Sequence, residues 1–200
     1  KTIENTICQG GLKMPNIFLK VKSWQLSWLR RAITEPEAKW IQTLNGIINQ
    51  IDFVYLAHCR PNIDKLTYTI PNFYKQILKT WYELRDNDNL DTIDIPAEPL
   101  WHNKFVTIEK KETFCLPWYR QKILFIHNLL DNNGTFLSHT ELGHRYNVKC
   151  TFLDALQIRM AIPLKWREKL RNLSLTANNY HTELKLLSSN RTNFKLFTDI

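Results

Sequence analysis

The stretch Ile17-Phe18-Leu19-Lys20-Val21-Lys22-Ser23-Trp24-Gln25-Leu26-Ser27-Trp28-Leu29-Arg30-Arg31 places large apolar residues at Ile17, Val21, Trp24 and Trp28. Steps of four, three and four residues are the period of one helix face. Phe18, Leu19, Leu26 and Leu29 widen the apolar arc, which predicts a helix buried on most sides, with Lys20, Lys22, Arg30 and Arg31 on its remaining surface. The period recurs downstream. Thr34 with Glu37 has the spacing of a capping box before Ala38, Ile41, Leu44 and Ile48. Pro71 suits the first position of a helix carrying Phe73, Ile77, Trp81 and Leu84. Trp118 to Leu130 reads as a helix with Ile123, Ile126 and Leu130 inward, stopped by Asp131-Asn132-Asn133-Gly134. Ser138 with Glu141 and Thr151 with Asp154 are further capping boxes, the second opening a helix with Leu153, Leu156 and Met160 inward. Lys165 to Leu173 aligns Trp166, Leu170 and Leu173. Residues 51–70 show no sustained period and read as a loop or short strand, and Phe105 to Ile108 pairs as a hairpin with Thr113 to Leu116. The expected fold class is mostly α, an irregular multi-helix bundle with at most a minor β-hairpin.

Composition agrees. Of 200 residues, 44% are hydrophobic and 23% charged, proportions of a folded chain rather than a disordered one. Five glycines and eight prolines, against seven tryptophans and ten phenylalanines, disfavour a turn-dense all-β protein. No apolar run approaches the ~18 residues that span a bilayer, so the reading is a soluble chain of the cytoplasm or nucleus with no membrane partner. Lys1 at the start and Gly10-Gly11 soon after suggest a piece of a longer polypeptide. Asp88 to Pro99, rich in acids and with two prolines, reads as an exposed connection. It divides the chain into helical domains over 1–91 and 92–173, with a polar tail over 174–200.

Charge is segregated. Residues 1–33 carry six basic groups against one acidic, residues 34–143 eleven against fourteen, and residues 144–200 ten against four. Two basic ends around an acidic middle suit a polyanion, because each neutralised phosphate releases counterions; solubility alone is the competing explanation. Lys165-Trp166-Arg167-Glu168-Lys169-Leu170-Arg171 is the densest basic stretch, offering cations to phosphates while Trp166 anchors the helix or stacks on a base. Lys149 and Arg159 complete the candidate nucleic-acid contacts, with Lys20, Lys22, Arg30 and Arg31 at the other end. A solvated helix face is the alternative for all of them.

Other constellations favour structure over chemistry. Ser138 to Ile162 has the outline of a helix-turn-helix, but its second helix offers Gln157 and Arg159 among mainly apolar residues and reads as a packing helix. His139, His144 and Cys150 lack a fourth ligand at zinc-finger spacing. His58-Cys59 lacks an orienting carboxylate, and the aspartates at 86, 88, 91 and 94 lack the order of a calcium loop. With four cysteines and no C-x-x-C pair, no disulfide framework or zinc ribbon is indicated. No phosphate-cradling loop and no serine elbow occur, so the expectation is no cofactor, no metal and no catalytic residue.

Gly10-Gly11-Leu12-Lys13-Met14-Pro15-Asn16, followed by a Trp-rich helix, resembles the segment after the polymerase palm in non-LTR (LINE-type) retrotransposon reverse transcriptases. Pro99-Leu100-Trp101-His102-Asn103, Leu129-Leu130-Asp131 with Gly134 to Ser138, and Tyr146 to Leu153 through Ala161-Ile162-Pro163 and Trp166 resemble later blocks of the same polyproteins. The likeness runs over residues 9–172, with Lys13 where the family has a glycine. It implies the thumb and the helical region after it, which hold RNA template and DNA primer beside the palm of the same polypeptide. No Tyr/Phe-x-Asp-Asp motif, endonuclease block or terminal Cys-Cys-His-Cys cluster is present. The resemblance therefore implies an RNA-directed DNA polymerase as the parent and a non-catalytic accessory role here.

Overall fold

The computed structural model describes residues 16–59, 61–66, 68–85 and 94–171. Among them the chain forms α1 (Ile17–Thr34), α2 (Lys39–Ile48), α3 (Phe53–His58), α4 (Asn72–Arg85), α5 (Leu116–Arg120), α6 (His139–Tyr146), α7 (Phe152–Ala161) and α8 (Leu164–Arg171). One antiparallel hairpin pairs β1 (Thr107–Ile108) with β2 (Lys111–Glu112), and 3-10 turns occupy Ile95–Ala97 and Ile126–Leu129. The fold is mostly α-helical.

Helix starts follow local chemistry where a cap exists. Asn16 accepts the Leu19 amide at the head of α1. The Ser138–Glu141 and Thr151–Asp154 boxes both close, each satisfying two amides that the first helical turn leaves open. The Thr34–Glu37 box does not form. Thr34 ends α1 instead, its hydroxyl donating back to the Arg30 carbonyl, and α2 starts at Lys39 without a side-chain cap.

Aromatic packing joins the first helices. The Trp28 ring meets Trp40 at 5.6 Å and Phe73 at 5.7 Å, both edge-on, and Tyr74 stacks on Trp40 at 6.1 Å. Residues 51–70, read as loop or strand, contain α3, whose Phe53, Leu56 and Ala57 are fully buried. A six-residue helix is too short to show its period, and burial rather than propensity maintains it. Arg85 at the end of α4, 6% exposed, donates to the carbonyls of Ala57, His58 and Cys59. Its guanidinium thus answers the open carbonyls and negative dipole end of α3.

The expected boundary near residue 92 falls among residues outside the description, and one hydrophobic core carries residues from both sides of it. Tyr119 accepts the Asp52 amide at 2.9 Å and donates to its carboxylate, while Tyr55 donates to the Leu124 carbonyl at 2.8 Å. The polar tail over 174–200 lies outside the described residues.

The helix expected from Trp118 to Leu130 is broken. α5 ends at Arg120, Lys122 takes a left-handed φ of 63°, and the backbone then runs alongside residues 98–101. Leu100 donates its amide to the Leu124 carbonyl, Ile126 donates to Glu98, and the Trp101 indole donates to Ile123 at 2.7 Å. Long-range hydrogen bonds around fully buried Trp101 outweigh local helical preference. The hairpin is real but shorter and displaced: Thr107 faces Glu112 and Ile108 faces Lys111, so β2 precedes the expected Thr113.

Candidate nucleic-acid interface

The face of α1 expected to be inward points outward over its first two turns. Ile17, Phe18, Val21 and Trp24 are 71%, 81%, 45% and 62% exposed, while Leu26, Leu29 and Ala32 carry the burial. The reason is the partner surface: α1 lies on α3 and α4, with Gln25 accepting from Thr80 at 2.6 Å and Lys22 paired with Glu83 at 2.7 Å. Those contacts turn the Gln25–Leu26–Leu29 side inward.

This orientation sorts the four cations of α1. Lys20 and Arg31 are exposed, Lys22 is tied to Glu83, and Arg30 is half-buried. At about 100° per residue, Lys20, Trp24 and Arg31 fall within an arc of about 40°. An exposed indole therefore stands between two exposed ammonium and guanidinium groups along one edge of the helix. Arg31 also lies 5.0 Å from the centre of the half-buried Trp28 ring, which steadies its stem.

At the other end, the basic stretch is split around its helix. Trp166 and Leu170 face inward, and Trp166, 7% exposed, packs its ring 5.7 Å from Phe105. Of the two roles weighed for Trp166, burial selects the anchor and corrects the base-stacking one. Lys165 and Lys169 sit on one flank of α8, Arg167 and Arg171 on the other, with exposed Glu168 between them. Arg167 reaches the Met160 sulfur at 3.2 Å. Arg159 is turned over the Phe136 ring at 5.0 Å, and Lys149 is exposed beside a groove walled by Pro117, Trp118 and Arg120.

Among the remaining candidates, Cys59, His58 and His139 are held by packing. Cys59 is buried and its thiol is pushed well above its ordinary range by desolvation, the opposite of what a nucleophile needs. His58 packs edge-on against Phe125, and His139 against Phe152. Among the described residues no group of three or more His, Cys, Asp or Glu side chains could hold a metal ion, and no helix is long and apolar enough to cross a membrane. Of the four aspartates, only Asp94 is described, and it is exposed.

One polar cluster had no signal in the sequence. The Tyr68 hydroxyl lies 2.7 Å from Nε2 of His102, while Nδ1 of that ring stands 3.9 Å from Glu112, whose other oxygen accepts the Asn62 amide. Desolvation pushes His102 down to about 4 and Tyr68 up to about 12, so both are neutral at pH 7. The cluster ties the 62–68 segment to the hairpin.

No family model matches the chain, and no curated protein and no solved structure is significantly similar to it.

Proposed function

We propose that this chain is a non-catalytic accessory segment of a LINE-type reverse transcriptase that contacts the RNA and DNA of the template–primer through backbone phosphates. The observation carrying this reading is the exposed edge Lys20–Trp24–Arg31 on α1. The two cations stand about 16 Å apart along the helix axis, so they meet phosphates separated by more than one nucleotide while the indole between them offers a π-face to a base, the combination that single strands and strand ends recruit. Lys149, Lys165, Lys169 and Arg171 supply further exposed charge without forming one edge. Recognition is therefore of shape and charge rather than of base sequence. The order and spacing of the Gly10-Gly11-Leu12, Pro99-Leu100-Trp101-His102-Asn103 and Ala161-Ile162-Pro163 blocks support the kinship. Trp101 and Asn103 are both fully buried, and the Asn103 amide donates to Glu98 and to the Pro99 carbonyl. That block thus reads as a folding determinant rather than a contact site.

The test is binding of an RNA–DNA hybrid over a salt series. About five phosphate contacts give a log–log slope near −4, and a slope of zero removes the binding role.

A second reading, a structural module packing on the polymerase palm or another protein, draws on the same helix. Ile17, Phe18 and Val21 are apolar and exposed, and a protein surface covers such residues better than a phosphate backbone does. Substituting Ile17 and Val21 by serine separates the two: hybrid affinity holds under the first reading, and association with the palm falls under the second.

A further inference from the structure

Helix α7 also differs from its expected orientation. Phe152, Leu153, Leu156 and Met160 are 63%, 65%, 39% and 58% exposed, because the helix packs against the hairpin with Ile158 and Ala161 buried instead. That packing leaves a groove between α7 and residues 111–121, which ends at the turn between α6 and α7. Two hollows of about 320 and 420 Å³ make it up, with Cys115, Trp118 and Asp154 as shared walls. Lys111 stands on the first hollow, Arg120 and Lys149 on the second. All three are exposed, and none has an ion pair with a described residue. The two acids of the wall are engaged: one Glu112 oxygen accepts the Asn62 amide at 2.9 Å, and one Asp154 oxygen accepts the amide and the hydroxyl of Thr151. The wall is net positive, and its uncommitted charges are the three cations. Lys111 and Arg120 belong to the stretch 34–143, where acids outnumber bases, so only folding brings them beside Lys149.

We propose that this groove binds an unpaired RNA strand, with backbone phosphates on Lys111, Arg120 and Lys149. The proposal rests on the nucleic-acid reading above and uses a surface separate from α1. Size selects the strand: hollows of a few hundred Å³ take a drug-sized group, about one nucleotide each, and exclude a duplex. Charge selects the backbone. The cations are spread over both hollows rather than gathered in one, which suits a ligand charged at every repeat better than a peptide anchored by a single acidic side chain. Exposed Gln121, Asn147 and Gln157 add neutral amides along the wall, and these pair with ribose hydroxyls. The floor residues Trp101, Trp118 and Ile158 are buried, so the cations rather than stacked rings supply the affinity, and base sequence is not read.

The test measures binding of an oligouridine strand and of a blunt RNA–DNA hybrid to the full 200-residue chain over a salt series. Replacing Lys111, Arg120 and Lys149 together by glutamine should reduce the log–log slope for the single strand by about 2, at about 0.7 per lost contact, and leave binding of the blunt hybrid unchanged. In the parent chain, 4-thiouridine placed in the strand should photo-cross-link to residues 111–121 and 147–158, read by mass spectrometry. A single-strand slope unmoved by the three substitutions would overturn the proposal, as would cross-links that avoid both segments. Displacement of the strand by an oligo-glutamate of equal length at equal concentration would assign the groove to acidic polypeptide and overturn it too. The two readings fail separately. A slope of zero for the blunt hybrid beside groove-dependent binding of the strand removes the template–primer role alone, and a hybrid slope near −4 beside an unmoved single-strand slope removes the groove alone.

Discussion

Helices α1 and α7 both leave large apolar residues in water, yet they are different surfaces. The exposed stripe of α1 is edged by Lys20 and Arg31 and includes an indole; the stripe of α7 is formed by Phe152, Leu153, Leu156 and Met160, and one guanidinium, Arg167 of α8, reaches it at Met160. Both helices were expected to turn these same residues inward. The difference teaches that an apolar stripe says where something is covered, while the residues at its edge narrow what can cover it: the two exposed cations along α1 suit a polyanion, whereas the arginines beside the α7 stripe are turned onto Phe136 and Met160. Each helix also rests on its own support, α1 on α3 and α4, α7 on the hairpin.

The largest effect should come from removing the support of α1. Arg85→Met leaves the α3 carbonyls unanswered and should cost about 3 kcal/mol of stability, measured by urea unfolding. A loss below about 1 kcal/mol would show that water replaces the guanidinium there. Next is the support of α7. Because burial lowers His102 to about 4 against an unfolded value of 6.5, the unfolded state binds more protons between these pH values. This contribution is fully present above pH 6.5 and is lost as pH falls from 6.5 towards 4, by up to about 3 kcal/mol. His102→Gln should flatten the stability profile over that window, and a profile identical to the parent's would contradict the role given to the ring.

A smaller effect concerns α8. Replacing Lys165 and Lys169 by glutamine should weaken hybrid binding less than replacing the α1 pair, because Glu168 divides the charge of that helix, and equilibrium titrations at one salt concentration compare them. The smallest effect is local to the hairpin under α7. Glu109 and Lys110 form its two-residue turn at φ of 50° and 63°, values that favour glycine. Lys110→Gly should raise stability by about 1 kcal/mol without altering hybrid binding.

Much of the fold was legible because it is local. The Ser138–Glu141 and Thr151–Asp154 boxes, the helix through Ile77 and Trp81, and the turn at Asp131-Asn132-Asn133-Gly134, though not the helix it was expected to stop, all depend on residues close in sequence. Asp131 accepts the amides of Asn133 and Thr135, and Gly134 takes a φ of 77°. What was not legible depends on distant partners. Periodicity located α1 but not which side faced α4, since Ile17-Val21-Trp24 and Leu26-Leu29 are equally apolar on a helix hydrophobic on most sides. The break after Arg120 needs Pro99, Leu100 and Trp101 alongside, over twenty residues away. The Lys20–Trp24–Arg31 edge was present as a spacing of four and seven residues, hidden because Trp24 was placed in the core.

The central claim is that the cation-edged face of α1 contacts phosphates and the mainly apolar face of α7, where Arg167 is held against Met160, does not. The measurement is the salt dependence of hybrid binding for Lys20→Gln with Arg31→Gln, beside Leu153→Ser with Met160→Ser. The first pair should reduce the log–log slope by about 2 and the second should leave it unchanged. Equal slopes for both pairs and the parent chain would contradict the account.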